Sequence, residues 1–167
     1  MKKIAYVDMD DTICHYTDAM YKQLSPSLKY PQSQLGFYLA LKPMEGAIEG
    51  VNALINSGLY DVYILTAPSI MNAHSYSEKR LWIEQHFGIE LCHKLILSPN
   101  KGLLKGDYLI DDISFGKGQE NFDGKLIQIG TAAFPGWDSI IEYMLGYMLP
   151  KTLYQNYTFS QMKEEIQ

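Results

Sequence analysis

The chain reads as an α/β protein built on a five-stranded parallel sheet with helices on its faces. Three observations predict this. Five short, largely apolar runs recur along the sequence. Helical patterns alternate with them, as crossover connections between parallel strands require. The first run stops abruptly at Asp8-Met9-Asp10-Asp11-Thr12, which places acids where a buried strand ends.

The strands are expected at Lys3 to Asp8, Asp61 to Thr66, Lys94 to Ser98, Tyr108 to Asp111 and Lys125 to Ile129. Each is nearly continuous in apolar residues, as strands covered on both faces are. After the first strand, residues 13 to 42 break the rhythm, because they come in addition to the one crossover helix that a parallel connection needs. They read as an insertion of one helix and a loop, rich in aromatics (Tyr16, Tyr21, Tyr30, Phe37, Tyr38) and interrupted by Pro26 and Pro31. Lying beside the acids, such a segment is placed either to cover them or only to pack on the sheet. Pro43-Met44-Glu45-Gly46 opens the crossover helix, with Ala47, Val51, Leu54 and Ile55 on one face, and Gly58 can end it in the left-handed conformation. A second helix runs from about Tyr76 to Phe87, closed by Gly88; a third follows Pro135-Gly136, with Ile140, Ile141, Met144 and Leu145 on one face. Residues 1–149 thus form one core with 13–42 as a short cap insertion, and 150–167 an appended segment with Leu153, Tyr157 and Phe159 as packing residues.

Composition excludes several classes. The 167 residues are enough for one sizeable core. Hydrophobic content of 47% with 20% charged residues is ordinary for a folded soluble protein, and no run approaches the length that crosses a bilayer. Four apolar residues between Lys3 and Asp8 are too few for a signal-peptide core, so a cytoplasmic protein is expected. Cys14 and Cys92 lack metal-ligand spacing and read as reduced thiols. A net charge of −5 gives no footprint for a nucleic-acid polymer; a small phosphorylated ligand needs only a local basic pocket.

In a parallel α/β sheet, ligands bind at the carboxyl ends of the strands, where strand order reverses. Those ends form a list: Asp8 and Asp10, Thr66, Lys101 beyond Ser98-Pro99-Asn100, and Asp111-Asp112. An isolated D-x-D is more often a solvated turn than a site. Two close carboxylates joined by a third and fourth are different, because their repulsion calls for a divalent cation or a shared proton. Acids of this kind are the hard oxygen donors Mg²⁺ takes, while a hydroxyl and a lysine suit phosphate oxygens.

This ordered set resembles the haloacid dehalogenase superfamily of phosphotransferases. Asp8-Met9-Asp10-Asp11-Thr12 matches the first motif D-x-D-x-T, Thr66 the second, Lys79 or Lys101 the third and Asp111-Asp112 the fourth. Within it the chain looks most like the 5'(3')-deoxyribonucleotidases, through Leu65-Thr66-Ala67-Pro68, Glu78-Lys79 with Trp82-Ile83, and Asn100-Lys101. The resemblance implies a Rossmann-like core, a small cap after the first motif, and Mg²⁺-dependent dephosphorylation of a nucleoside monophosphate. Asp8 would be the nucleophile forming an aspartyl phosphate and Asp10 the acid/base. The Asp8 carboxylate, the Asp10 backbone carbonyl and Asp111 would hold Mg²⁺, with Asp112 behind them on a metal-bound water. Thr66 and Lys79 would bind the phosphoryl group, with Lys101 as a second phosphate-side cation. Tyr16, Phe37, Tyr38 and Ala67 are candidates for the substrate wall. Asp11 occupies the variable position, and Asp11→Gly is expected to keep activity.

Three departures bear on the substrate: Ala67 stands where animal relatives tend to have serine, Pro99 where they tend to have arginine, and the insertion is shorter than their cap. A phosphatase of broader or non-nucleotide specificity is therefore the alternative within the family. A non-enzymatic phospho-acceptor or binding module is the alternative outside it, although the acceptor of that class sits on a later strand than the paired acids. A dehalogenase would not need the second aspartate. The expected partner is a small phosphomonoester, with no nucleic-acid polymer, no membrane and room for an oligomer.

Overall fold

The structure is a computed structural model and describes residues 1–147; the extension at 150–167 lies outside the described residues. Five strands, β1 (Lys3–Val7), β2 (Tyr60–Thr66), β3 (Leu95–Leu97), β4 (Tyr108–Asp111) and β5 (Lys125–Gln128), form one sheet in the order β3-β2-β1-β4-β5. All neighbours pair in parallel. The chain steps outward from β1 to β2 to β3, then returns past β1 to β4 and β5. Strand order therefore reverses between β1 and β4, and that is where a crevice opens at the carboxyl ends.

Among the described residues five α-helices accompany the sheet: α1 (Tyr16–Gln23), α2 (Ala47–Asn56), α3 (Ser75–Phe87), α4 (Ile89–Cys92) and α5 (Trp137–Leu145). Gly58 (φ 69°) follows the end of α2 with the positive φ expected of it, and Gly88 (φ 87°) ends α3 where expected.

The α-helices that pack on the sheet share one face of it, where both were expected to carry helices. Alternate strand residues Ala5, Val7, Val62, Ile64, Ile110 and Ile127 meet Val51 and Leu54 of α2, Trp82 and Ile83 of α3, and Ile140 and Ile141 of α5 in the main core. The opposite face holds a smaller cluster of Tyr6, Leu65, Leu109 and Phe122. Handedness explains the asymmetry. Right-handed crossovers that step the same way, β1 to β2 to β3, put both helices on one face, and the reversed steps to β4 and β5 must cross the other. Those two connections carry only short 3-10 turns, Lys101–Leu103 and Gln119–Asn121.

Residues 13–42 form α1, a 3-10 turn at Pro31–Ser33 and loops. They are pinned to α3 rather than standing apart. Glu78 is buried and accepts hydrogen bonds from the Gly36 amide (2.7 Å) and the Tyr38 amide (3.0 Å), while the Trp82 indole donates to the Leu41 carbonyl at 2.8 Å. No helix among the described residues is long and apolar enough to cross a membrane.

Candidate active site

β1 delivers Asp8 beside β4: the Asp8 amide donates to the Ile110 carbonyl at 2.8 Å, continuing the ladder one residue past the strand. The chain then turns tightly around the Met9 carbonyl, which accepts from the amides of Ile13 (2.9 Å) and Cys14 (3.1 Å). Asp11 takes the left-handed conformation within that turn (φ 52°). The Trp137 indole of α5 donates to the Thr12 carbonyl at 2.8 Å and fastens the far side of the turn. α5 reaches this close because Gly50 of α2 has no side chain; a Cβ there would overlap the Trp137 ring.

Two lysines, both buried, divide the acids between them. Lys79 of α3 donates to Asp10 Oδ2 and to Thr66 Oγ1, each at 2.8 Å. Lys101 lies 2.7 Å from Asp8 Oδ1 and 2.5 Å from Asp111 Oδ2. Both candidate lysines are therefore in the site with different partners: Lys79 serves the second aspartate of the D-x-D, and Lys101 the first. Thr66 is fully buried; since its Oγ1 accepts from Lys79, its own hydroxyl proton is left to donate.

The three carboxylates Asp8, Asp111 and Asp112 each present an oxygen within 4.8 Å of the others. Asp112, expected behind the metal, thus offers an oxygen to the same cluster, whereas the Asp10 carboxylate turns to Lys79. The crowding is visible in their acidities. Burial, then the charges of Asp8 and Asp111, push the Asp112 carboxyl up to about 7. Asp111 is also raised, by burial and then by Asp8. Buried, mutually repelling carboxylates are the donor set a hard divalent cation satisfies, so the residues fit Mg²⁺.

Asp10 lives differently. Its Oδ1 is buried with no hydrogen-bond partner among the described residues, and burial raises its carboxyl above the ordinary range against the opposing pull of Lys79. A carboxyl held this way is suited to carry and release a proton.

A cavity of about 530 Å³ opens over these groups, with Asp8, Asp10, Tyr16, Tyr38, Ala67 and Lys101 in its wall. Tyr16 and Tyr38 stack with centroids 6.0 Å apart. Phe37 does not line this cavity. It is buried and meets Tyr16 and Tyr38 edge-on at 5.8 and 5.2 Å, so it supports the tyrosine wall from behind, held there by the Glu78 bonds to the adjacent backbone.

Three contributors were not read from the sequence. Buried Gln119 donates to both Asp111 oxygens (3.3 and 3.2 Å). Asn100 Oδ1 accepts the Gly102 amide at 3.0 Å and shapes the turn that carries Lys101. Asp11, set aside as a variable position, accepts the Thr17 amide at 2.9 Å and the Thr17 hydroxyl, fixing the first turn of α1 to the loop that follows Asp8. The Gly116-Lys117-Gly118-Gln119 run after the fourth strand was the available signal, because a glycine-flanked polar loop at a strand end belongs to the same crevice.

A family model described as 5' nucleotidase, deoxy (pyrimidine), cytosolic type C protein matches residues 25–133. A protein of Vibrio phage KVP40 named "Putative 5'(3')-deoxyribonucleotidase" is 34% identical over 148 residues, covering 86% of this chain and 85% of its own. The human cytosolic-type 5'(3')-deoxyribonucleotidase is 35% identical over 104 residues, 60% of this chain; the chain spans about half (52%) of that relative. Among solved structures, a HAD-hydrolase of Bacillus subtilis bound to magnesium aligns over 77% of this chain and 87% of its own at 12% identity, with a TM-score of 0.48, too remote to bear on function.

Proposed function

Since the chain belongs to the cytosolic type C deoxy (pyrimidine) 5'-nucleotidase family, we propose that it removes phosphate from (deoxy)nucleoside monophosphates, with Mg²⁺ and through an aspartyl phosphate on Asp8. The observation that carries the reading is the unequal treatment of Asp8 and Asp10. Asp8 faces a lysine and two further acids, whereas Asp10 is buried with one oxygen unpartnered. Two carboxylates in unlike surroundings can divide the labour of nucleophile and proton carrier.

Asp8, Asp111 and Asp112 would hold the metal, joined by the Asp10 backbone carbonyl that the family resemblance implies. When bound, Mg²⁺ neutralises the acids and the phosphoryl oxygens. Lys101 orients the Asp8 carboxylate, which attacks phosphorus as the ester P–O bond breaks. Asp10 gives its proton to the departing oxygen, so the alcohol leaves neutral. Asp10, now ionised, takes a proton from the water that attacks phosphorus; the Asp8 acyl–phosphate bond breaks, and phosphate departs with both aspartates restored. The Thr66 hydroxyl donates to the transferring group, and Lys79 holds both Thr66 and Asp10 in register. The two roles of Lys79 and Lys101 act mainly by preorganised charge.

Tyr16 and Tyr38 offer the nucleoside a flat wall. Ile70, 97% exposed at the rim of the same cavity, leaves the mouth open, which favours a relaxed preference among bases.

Release of inorganic phosphate from a panel of dUMP, dTMP, dGMP, AMP and simple sugar phosphates, with and without EDTA, tests the activity. EDTA-sensitive release, lost in Asp8→Asn with the fold intact, is the expected result. Release that survives either treatment overturns the mechanism. A phosphoenzyme that forms and never turns over would make the protein a phospho-acceptor instead.

A further inference from the structure

The cavity has more lysines near it than the reaction above employs. Lys117 lines it, on the loop between β4 and β5. The other two cations of the site are committed: Lys79 to Asp10 at 2.8 Å, Lys101 to Asp8 at 2.7 Å and Asp111 at 2.5 Å. The Lys117 side chain is exposed, and its ammonium meets no hydrogen-bond or ion-pair partner among the described residues. Its backbone is fixed on both sides. The Lys117 amide donates to Gln119 Oε1 at 2.9 Å, and its carbonyl accepts the Lys101 amide at 2.7 Å. Gly116 (φ 98°) and Gly118 (φ 85°) flank it with positive φ. A Cβ at Gly118 would collide with the Asn100 side chain, so the loop packs tightly on the turn carrying Lys101. A rigid stem therefore holds a free charge over the cavity, and that charge is felt at Asp10.

A phosphate dianion approaching this crevice meets a wall of carboxylates. Charges already neutralised by ion pairs attract it weakly, whereas a free ammonium at the mouth, where screening lengths are comparable to the cavity, attracts it strongly. Resting on the phosphomonoesterase reading, we propose that Lys117 is the substrate-capturing cation of this site, binding the phosphate dianion as it enters and setting it against Asp8. The chemical class it selects is the dianionic monoester. Lys117 donates no proton and breaks no bond, so its contribution lies in binding.

The test compares the Mg²⁺-loaded full chain with Lys117→Gln, Lys117→Arg and Lys105→Gln, the last exposed and outside the cavity as a control for net charge. Removing the charge should raise KM about tenfold with kcat little changed, the size of one rim ion contact with a dianion. Ki for competing orthophosphate should rise in parallel, and the fall of kcat/KM with ionic strength should flatten. Arginine should restore most of the loss, and Lys105→Gln should behave as wild type. Unchanged KM and Ki in Lys117→Gln, or a fall in kcat alone, overturns the proposal while leaving the phosphatase reading standing. If the wild-type chain hydrolyses nothing, that reading falls; calorimetric titration with orthophosphate still decides this one, equal affinities in wild type and Lys117→Gln overturning it.

Discussion

The two halves of the crevice are built to different standards. On the side of β4, Asp111 is braced by Lys101, by Gln119 and by the Ile113 amide at 3.1 Å. On the side of α3, Asp10 has Lys79 as its one side-chain partner among the described residues, where its second oxygen meets none. The contrast separates two physical tasks. A carboxylate proposed to position a metal should not move, and the bonds to both oxygens of Asp111 hold it in place. A proton carrier must exchange partners during the reaction, so a fully satisfied carboxyl would be inert. Burial raises the carboxyl pKa on both sides; on the first the neighbouring carboxylates add to it, whereas on the second Lys79 opposes it, and substitutions should distinguish them.

The largest effect is expected on the loosely braced side. Asp10→Asn should lower kcat by about 10²- to 10⁴-fold while leaving Mg²⁺ affinity close to wild type, as read by steady-state kinetics beside a metal titration followed by thermal shift. A parallel collapse of metal affinity would erase the contrast. Next comes the braced side: Gln119→Leu should weaken Mg²⁺ binding by roughly 10- to 100-fold, the usual cost of losing a partner behind a metal ligand, with activity recovered at high Mg²⁺. Calorimetry showing native affinity would remove Gln119 from the site.

Proton linkage gives a smaller signal. Because the Asp112 carboxyl is raised to about 7, above about 3.9 for an unfolded aspartate, the native state binds more protons than the unfolded state between those values. Stability in EDTA should therefore fall as pH rises through 7, with Tm about 2 °C lower at pH 8.5 than at 6.5. His86, held below its usual value by burial, titrates below that window. Saturating Mg²⁺ should cancel the trend, since the ion stabilises the ionised cluster. Calorimetric scans in both conditions decide it: a pH-independent Tm in EDTA would mean the acids are not in conflict. Finally, Asp11→Gly suits the positive φ of that position but releases Thr17. It should keep kcat and raise KM roughly three- to tenfold, in line with the loss of a cap worth about 1 kcal/mol. Unchanged KM would return Asp11 to a neutral position.

What was legible in the sequence follows the range of the forces involved. Strand placement came from apolar runs, and the ends differ from expectation by about a residue: β1 stops at Val7 rather than Asp8, and β2 starts at Tyr60 rather than Asp61. Gly58 takes the positive φ expected of it, and Gly88 ends α3 where expected. The strand-end acids share one crevice for the same reason, because a parallel sheet aligns its carboxyl ends. Which lysine meets which aspartate was not legible. Lys79 and Lys101 sit 2.8 and 2.7 Å from different acids through the seating of α3 and of the turn at Asn100, neither of which leaves a periodic signature. Gln119 was hidden similarly, as its amide reaches Asp111 only after the last crossover has folded back. Phe37 was misplaced because aromatic composition does not say which ring faces the cavity and which supports it.

The hydrogen bond from Trp137 to the Thr12 carbonyl has a consequence in time. Asp8 lies far ahead of Trp137 in the chain, yet the loop that shapes it is clasped by a side chain from the last described helix. Domains fold as units during synthesis, and this clasp ties completion of the Asp8–Thr12 loop to the arrival of α5. A nascent chain with β1 and β2 already paired would carry Asp8 in an unclasped loop, so the crevice takes its final shape only once α5 has packed.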